Sequence, residues 1–190
     1  MTHPSPNLDL VFGELRRPRP GPGPTKRPLG YDQWEKRYPP ISLIKLTQST
    51  ADLLKLLMQQ IAAGCPIGRT FMNDVILIWL VDANGSILIS IEELVFNKRP
   101  QGVPKFQSVP LTKDCDKLGH PSLILAANAR IAGEVRYHSD RDPAIWSINN
   151  ASWRYGLYEG RTSIQLERVV ERFHEVGIKL EPNFLQPKST

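Results

Sequence analysis

The chain reads as an α+β fold: a central antiparallel sheet with an N-terminal and a C-terminal helix, preceded by a proline-rich arm. Three observations predict it. A leucine-rich segment with helical spacing precedes two apolar runs split by Asn84-Gly85, strand-like runs return after residue 130, and a second amphipathic stretch lies near the end. With 190 residues, 41% hydrophobic and 23% charged, the composition suits one folded domain and lies far from disordered or collagen-like chains.

Nine of the 17 prolines fall in the first 40 residues, and Arg16 to Pro28 alternates proline with glycine and base. Proline lacks a backbone donor and opposes both helices and ladders, so residues 1–40 are expected to be an arm or linker. The domain is then placed over 41–182, with a loose tail at 183–190. Leu53, Leu54, Leu56, Leu57 and Ile61 recur at helical spacing behind Ser49, with Gly64 past the end, which predicts a helix over Thr50 to Ala63. Val75 to Val81 and Ser86 to Ile91 flank Asp82-Ala83-Asn84-Gly85, and Asn-Gly tolerates positive φ, so a hairpin is expected. Residues 97–118 hold three prolines and little period and read as a long surface connection. Arg130 to His138 and Ala144 to Asn150 suit paired strands about a polar turn. Thr162 to Gln165 matches a capping box ahead of the stripe Leu166, Val169, Val170, Phe173, Val176, and Gly177 ends that helix. Ile178 to Leu180 suits a short edge strand, giving a sheet of four or five strands.

A net charge of +5 favours acidic partners: nucleic acid, an anionic cofactor or an acidic protein surface, with RNA or another anionic ligand as the expected partner. Cys65 and Cys115 stand far apart without metal-ligand spacing, so no metal is expected. The start, Met-Thr-His-Pro-Ser-Pro, lacks the pattern of a secretory signal, and Val75 to Val81 is too short to span a bilayer. A cytoplasmic protein without membrane association follows as the expectation.

Chemistry-bearing side chains concentrate between Gly119 and Tyr155. His120 lies in a Gly-His-Pro turn, where a group of near-neutral pKa can be held for proton transfer. Alternation puts Glu134 and Arg136 on one strand face, either as an exposed ion pair or as a general base beside a cation for an anion. Arg154 and Tyr155 add an anion fork and a phenol, completing the catalytic candidates. Arg130, Asn149, Asn150, Ser152 and Arg161 are candidates for binding the substrate or anion, with Arg161 next to the free amides of a helix start. Asn149, Asn150 and Ser152 can equally close a turn. His138, at a strand end near a turn, ranks behind His120.

The order His-Pro-Ser-Leu, Ala-Arg-Ile-Ala-Gly-Glu-Val, Trp-Ser-Ile-Asn-Asn-Ala-Ser-Trp-Arg-Tyr and Val-Gly-Ile resembles a group of poorly characterised bacterial proteins carrying an Ala-Gly-Glu strand and an Asn-x-Ser-Gly-x-Tyr turn. Its second half is also similar to the C-terminal part of plant calmodulin-binding IQ-motif proteins. The likeness spans about Gly119 to Leu180, and Trp153 stands where the pattern has glycine. It implies an association with toxin or effector modules of bacterial conflict systems.

Two classes of function remain open. One is an effector enzyme acting on an anionic substrate, by metal-independent RNA cleavage without a cofactor or, ranked lower, as an ADP-ribosyltransferase-like enzyme using NAD. The other is a non-catalytic module, an inhibitor, adaptor or assembly component, docking on a cognate protein through the arm and the four tryptophans.

Overall fold

The computed structural model describes residues 7–20 and 29–187, and its architecture is α+β. Two short helices come first, α1 (Leu8–Phe12) and α2 (Gln33–Arg37). Strand β1 (Ile44–Lys45) leads into α3 (Gln48–Ala62) and α4 (Pro66–Asp74). The N-cap of α3 is Thr47, which exchanges hydrogen bonds with Thr50, so the helix starts two residues before the predicted Thr50. Next come β2 (Leu77–Val81), β3 (Ile87–Ile91), β4 (Glu93–Phe96), β5 (Arg99–Pro104) and β6 (Cys115–Leu118). A 3-10 turn over His120–Ile124 precedes β7 (Ile131–His138) and β8 (Ile145–Asn149), then α5 (Ser163–Glu175) and β9 (Glu181–Asn183).

The hairpin β2–β3 forms because Asp82 Oδ1 accepts from the amides of Asn84 and Ser86, both at 2.8 Å, while Gly85 takes φ +79°. The main sheet runs β1-β3-β2-β7-β8-β9 and is antiparallel except at one edge, where β9 pairs parallel with β8. Two expectations are corrected there. The edge strand begins at Glu181 rather than at Ile178, because Ile178 and Leu180 are buried in the core instead. The tail is tied as well: Leu185 N donates to Asn150 Oδ1 at 2.7 Å.

Residues 97–118 are not a plain connection, since β5 and β6 flank β4 in a second, three-stranded sheet. Pro100 and Pro104 are tolerated because β5 lies at its edge.

Strand β2 is buried on both faces, which explains its unbroken apolar run. Leu77, Trp79 and Val81 join the larger core with Phe12, Ala51, Met58, Ile61, Met72 and the α5 stripe. Ile78 and Leu80 pack on the other face with Leu123, Ala129, Ala132 and Tyr155. Burying each large apolar side chain contributes about 1.5–3 kcal/mol.

Phe12 belongs to the main core, so the arm expected over residues 1–40 is folded structure where it is described. Residue Arg16 exchanges both backbone hydrogen bonds with Ala129, at 2.8 and 2.9 Å. Glu35 is buried, closing the α2 capping box and accepting from Gly119 N at 3.0 Å. Residues 21–28 of the basic proline-rich run lie outside the described residues.

Candidate functional site

Strand β7 carries the polar face that matters. Val135 and Tyr137 point into the main core, leaving Glu134, Arg136 and His138 partly exposed on the opposite face. Arg136 donates through Nε to Glu134 Oε2 at 2.8 Å, with Nη2 2.7 Å from the same oxygen in the ion pair, and through Nη1 to Gln107 Oε1 at 3.1 Å. His138 Nε2 lies 2.8 Å from Ser147 Oγ on the adjacent strand β8.

Beside this face opens a polar cleft of about 310 Å³, lined among others by Asn73, Gln107, Arg136, His138, Ser139 and Asp140. Gln107 stands there because its segment is stapled to the end of α4. Gln107 N donates to Asp74 O at 2.8 Å, Ser108 N donates to Asp74 Oδ1 at 2.7 Å, and the Phe106 ring meets Phe71 edge-on at 5.5 Å. Hydrogen bonds from Ser108 hold the Asp74 carboxyl below its ordinary range.

The Glu134 side chain is 14% exposed. Burial raises its pKa, against the pull of the Arg136 charge and hydrogen bond; the nearby Glu92 adds to the rise and Lys117 opposes it. A carboxylate tuned in that direction is a stronger base than a free one. Its backbone is fixed too, with Glu134 N donating to Asn149 Oδ1 at 3.1 Å. Gly133 is demanded one position earlier, since a Cβ there would sit 1.8 Å from Asn149 O.

The other expected site residues are drawn into the scaffold. His120 is 8% exposed, and its Nε2 pairs with Gly133 O at 2.8 Å. Burial pushes its pKa down to about 4, helped by Lys117 and Arg154 and resisted by the Gly133 carbonyl, so it is neutral at pH 7. Its proton is committed to that carbonyl rather than to a substrate. Tyr155 is fully buried with its hydroxyl donating to Ala127 O at 2.9 Å, and burial raises its pKa.

Arg130, Arg154 and Arg161 do not line the cleft; they clamp the N-terminal segment. Arg130 binds the Asp9 carboxylate and donates to Gly13 O at 3.1 Å and Ala83 O at 3.2 Å. Arg161 donates to Glu14 O at 2.9 Å and Tyr155 O at 3.3 Å, and Arg154 to Arg19 O at 3.3 Å. Burial lowers the Arg161 pKa to about 10, which keeps the guanidinium charged at neutral pH. Trp153 Nε1 donates to Pro20 O at 2.8 Å, beneath the Arg19 guanidinium 4.5 Å from its ring.

Asn149, Asn150 and Ser152 close the turn after β8. Asn149 Oδ1 also accepts from Ala151 N at 2.8 Å, and Asn150 Nδ2 donates to Gly156 O and Leu185 O at 3.0 and 2.9 Å. Ser152 Oγ accepts from Tyr155 N at 3.4 Å. Close backbone approach in this turn falls on Gly156, where a Cβ would lie 2.2 Å from Ala132 O and Asn150 O, so Trp153 is free to serve the arm.

Of the expected residues, then, only Arg136 lines the cleft, with Glu134 paired to it beside the cleft. His138, ranked behind His120 in the sequence, lines the cleft, and Gln107 and Asn73 beside it had no sequence signal. The signal for His138 was present, since the alternation that pairs Glu134 with Arg136 extends two residues further.

The chain matches no protein-family model, no curated protein and no solved structure. Among the described residues no His, Cys, Asp and Glu side chains group so as to hold a metal ion, and no helix is long and apolar enough to cross a membrane.

Proposed function

We propose that the protein is an effector-type domain that binds a phosphate-bearing substrate at the Glu134–Arg136 face and cleaves RNA there without needing a metal. One observation carries this reading: a largely buried carboxylate with raised pKa held by an arginine at the edge of a polar cleft. RNA supplies its own nucleophile in the 2′-hydroxyl. Glu134 takes that proton, and the 2′-oxygen attacks the adjacent phosphorus. Of the five guanidinium N–H donors, three face Glu134 and Gln107, which leaves two for a phosphate oxygen. The net charge of +5 and the resemblance to bacterial effectors support RNA as the partner.

The test is cleavage of a single-stranded RNA oligonucleotide in the presence of EDTA, by wild type and by Glu134→Gln. Wild-type cleavage that falls by about 10²-fold or more in the variant supports the reading. Undiminished cleavage by Glu134→Gln removes the carboxylate from the chemistry.

A second reading, a non-catalytic module that docks on a protein, is favoured by a different observation. Between α3, α4 and the sheet runs an apolar groove of about 320 Å³, with Leu57 and Ile67 exposed at 46% and 84%. Growth arrest on bacterial expression that survives Glu134→Gln and is lost in Ile67→Asp supports this reading over the first.

A further inference from the structure

Cleavage at the Glu134–Arg136 face leaves one requirement unmet. The 5′-oxygen departs as an alkoxide unless it receives a proton, and neither Glu134, already the base, nor Arg136, permanently charged, supplies one. We infer that His138 is the catalytic acid, protonating the leaving 5′-oxygen of a phosphodiester seated on Arg136. The inference rests on the ribonuclease reading above.

The geometry follows from the strand. Residues at i, i+2 and i+4 share a face at about 6.6 Å intervals, so Glu134 and His138 flank Arg136 at either end of a span of about 13 Å. A phosphate on Arg136 lies between them. In-line displacement needs base and acid within about 9 Å of each other on opposite sides of phosphorus, and both side chains lean inward from that backbone span: Glu134 Oε2 accepts from Arg136 Nε at 2.8 Å, and His138 Nε2 lies 2.8 Å from Oγ of Ser147, the residue directly across from Arg136. His138 lines the cleft together with Arg136, whereas His120 is buried with its Nε2 bound to Gly133 O and does not line the cleft. Ser147 holds the His138 ring through Nε2, and among the described residues Nδ1 has no hydrogen-bond partner, leaving it to face the substrate. Imidazole is also the side chain that carries a transferable proton near neutral pH.

The step balances without a further reactant. The O2′–P bond forms as P–O5′ breaks; the 2′-hydroxyl proton passes to Glu134 and the imidazolium proton of His138 passes to O5′. The products are a 2′,3′-cyclic phosphate and a 5′-hydroxyl, and exchange with water resets both side chains.

The experiment compares two substrates. A ribodinucleoside 3′,5′-phosphate loses a poor alkoxide leaving group, while uridine 3′-(4-nitrophenyl phosphate) loses a nitrophenolate that needs no proton. His138→Gln is expected to lower kcat/KM on the dinucleotide by about 10²- to 10⁴-fold while changing the nitrophenyl ester by less than about 3-fold. Ser147→Ala, which frees the ring without removing it, should give a smaller loss confined to the dinucleotide. Equal losses on both substrates, or no loss on either, overturn the acid role and leave Glu134 and Arg136 in place. Wild type inactive on both substrates overturns the ribonuclease reading and the acid role together. Circular dichroism and the melting temperature of each variant separate misfolding from chemistry, and His138→Asn repeats the comparison should the glutamine variant not fold.

Discussion

Two groups of arginines look alike in the sequence and do opposite work. Arg130, Arg154 and Arg161 are at most 8% exposed and donate to backbone carbonyls of the N-terminal segment or the loops beside it. The side chain of Arg136 is 35% exposed, pairs with one carboxylate and lines a cleft. The difference teaches that a guanidinium is as well suited to gathering carbonyls as to gathering phosphates, because its planar fork offers several donors at once. Proximity in sequence to a helix start or a histidine does not decide between the two. What decides is whether the neighbouring chain has carbonyls left over. The N-terminal segment has them: Gly13, Glu14 and Arg19 present their carbonyls to the clamp arginines, and Pro20 presents its own to Trp153.

The largest expected effect tests whether the clamped segment is part of the fold. Phe12→Ala should cost about 3–5 kcal/mol of stability, measured by urea denaturation, because the ring is 1% exposed within the main core. Cleavage per folded molecule should be unchanged. A loss under about 1 kcal/mol would mean the segment is a detachable arm after all.

The second prediction sets one arginine of each group against the other. Arg136→Ala should lower kcat by about 10²- to 10³-fold, a barrier change of about 2.7–4 kcal/mol, with little change in melting temperature. Arg161→Ala should do the reverse, costing about 1–3 kcal/mol of stability through the carbonyls of Glu14 and Tyr155 left unpaired. If both variants lose activity and keep stability, the two groups of arginines form one site.

Legibility in the sequence followed the range of the interactions. The hairpin around Asn84-Gly85, the α5 capping box at Thr162 and the alternation along β7 are set by neighbours in the chain, and each was readable. Arg16 pairing with Ala129, the parallel contact of β9 with β8, and the β5-β4-β6 sheet are set by partners far away or by short edge strands rich in proline. Nothing local marks them. The site divided in the same way: Glu134 and Arg136 came together because a strand's period is two, whereas His120 and Tyr155 were misplaced because burial, which decides their roles, is a property of the packed molecule.

Burial of His120 gives the third prediction. Its folded pKa of about 4 lies below the ordinary 6.5, so between these values the unfolded chain binds more protons than the native one. Stability from this group is therefore fully present above pH 6.5, declines as pH falls, and is lost below about pH 4. His120→Gln keeps a donor for Gly133 O and removes the titration. Wild type should lose more stability than the variant between pH 7 and pH 4, by on the order of 3 kcal/mol, while cleavage at pH 7 stays within a few-fold. Parallel stability curves would show that the imidazole is not desolvated, and a collapse of cleavage would return His120 to the chemistry.

The smallest expected effect separates a structural phenol from a catalytic one. Tyr155 fills the second core between Ile78, Leu80 and Leu123, so its ring carries most of its contribution and its hydroxyl adds one bond to Ala127 O. Tyr155→Phe keeps the ring and leaves that carbonyl short of a donor, a cost of about 1–3 kcal/mol at most. A phenol that donated a proton or bound phosphate in the reaction would instead cost about 10²-fold or more in rate with stability untouched. Because burial raises its pKa and water does not reach the group, neither effect should depend on pH between 5 and 9. A variant with wild-type cleavage and a slightly lowered melting temperature places Tyr155 with the clamp arginines; a rate loss without a stability loss places it with Arg136.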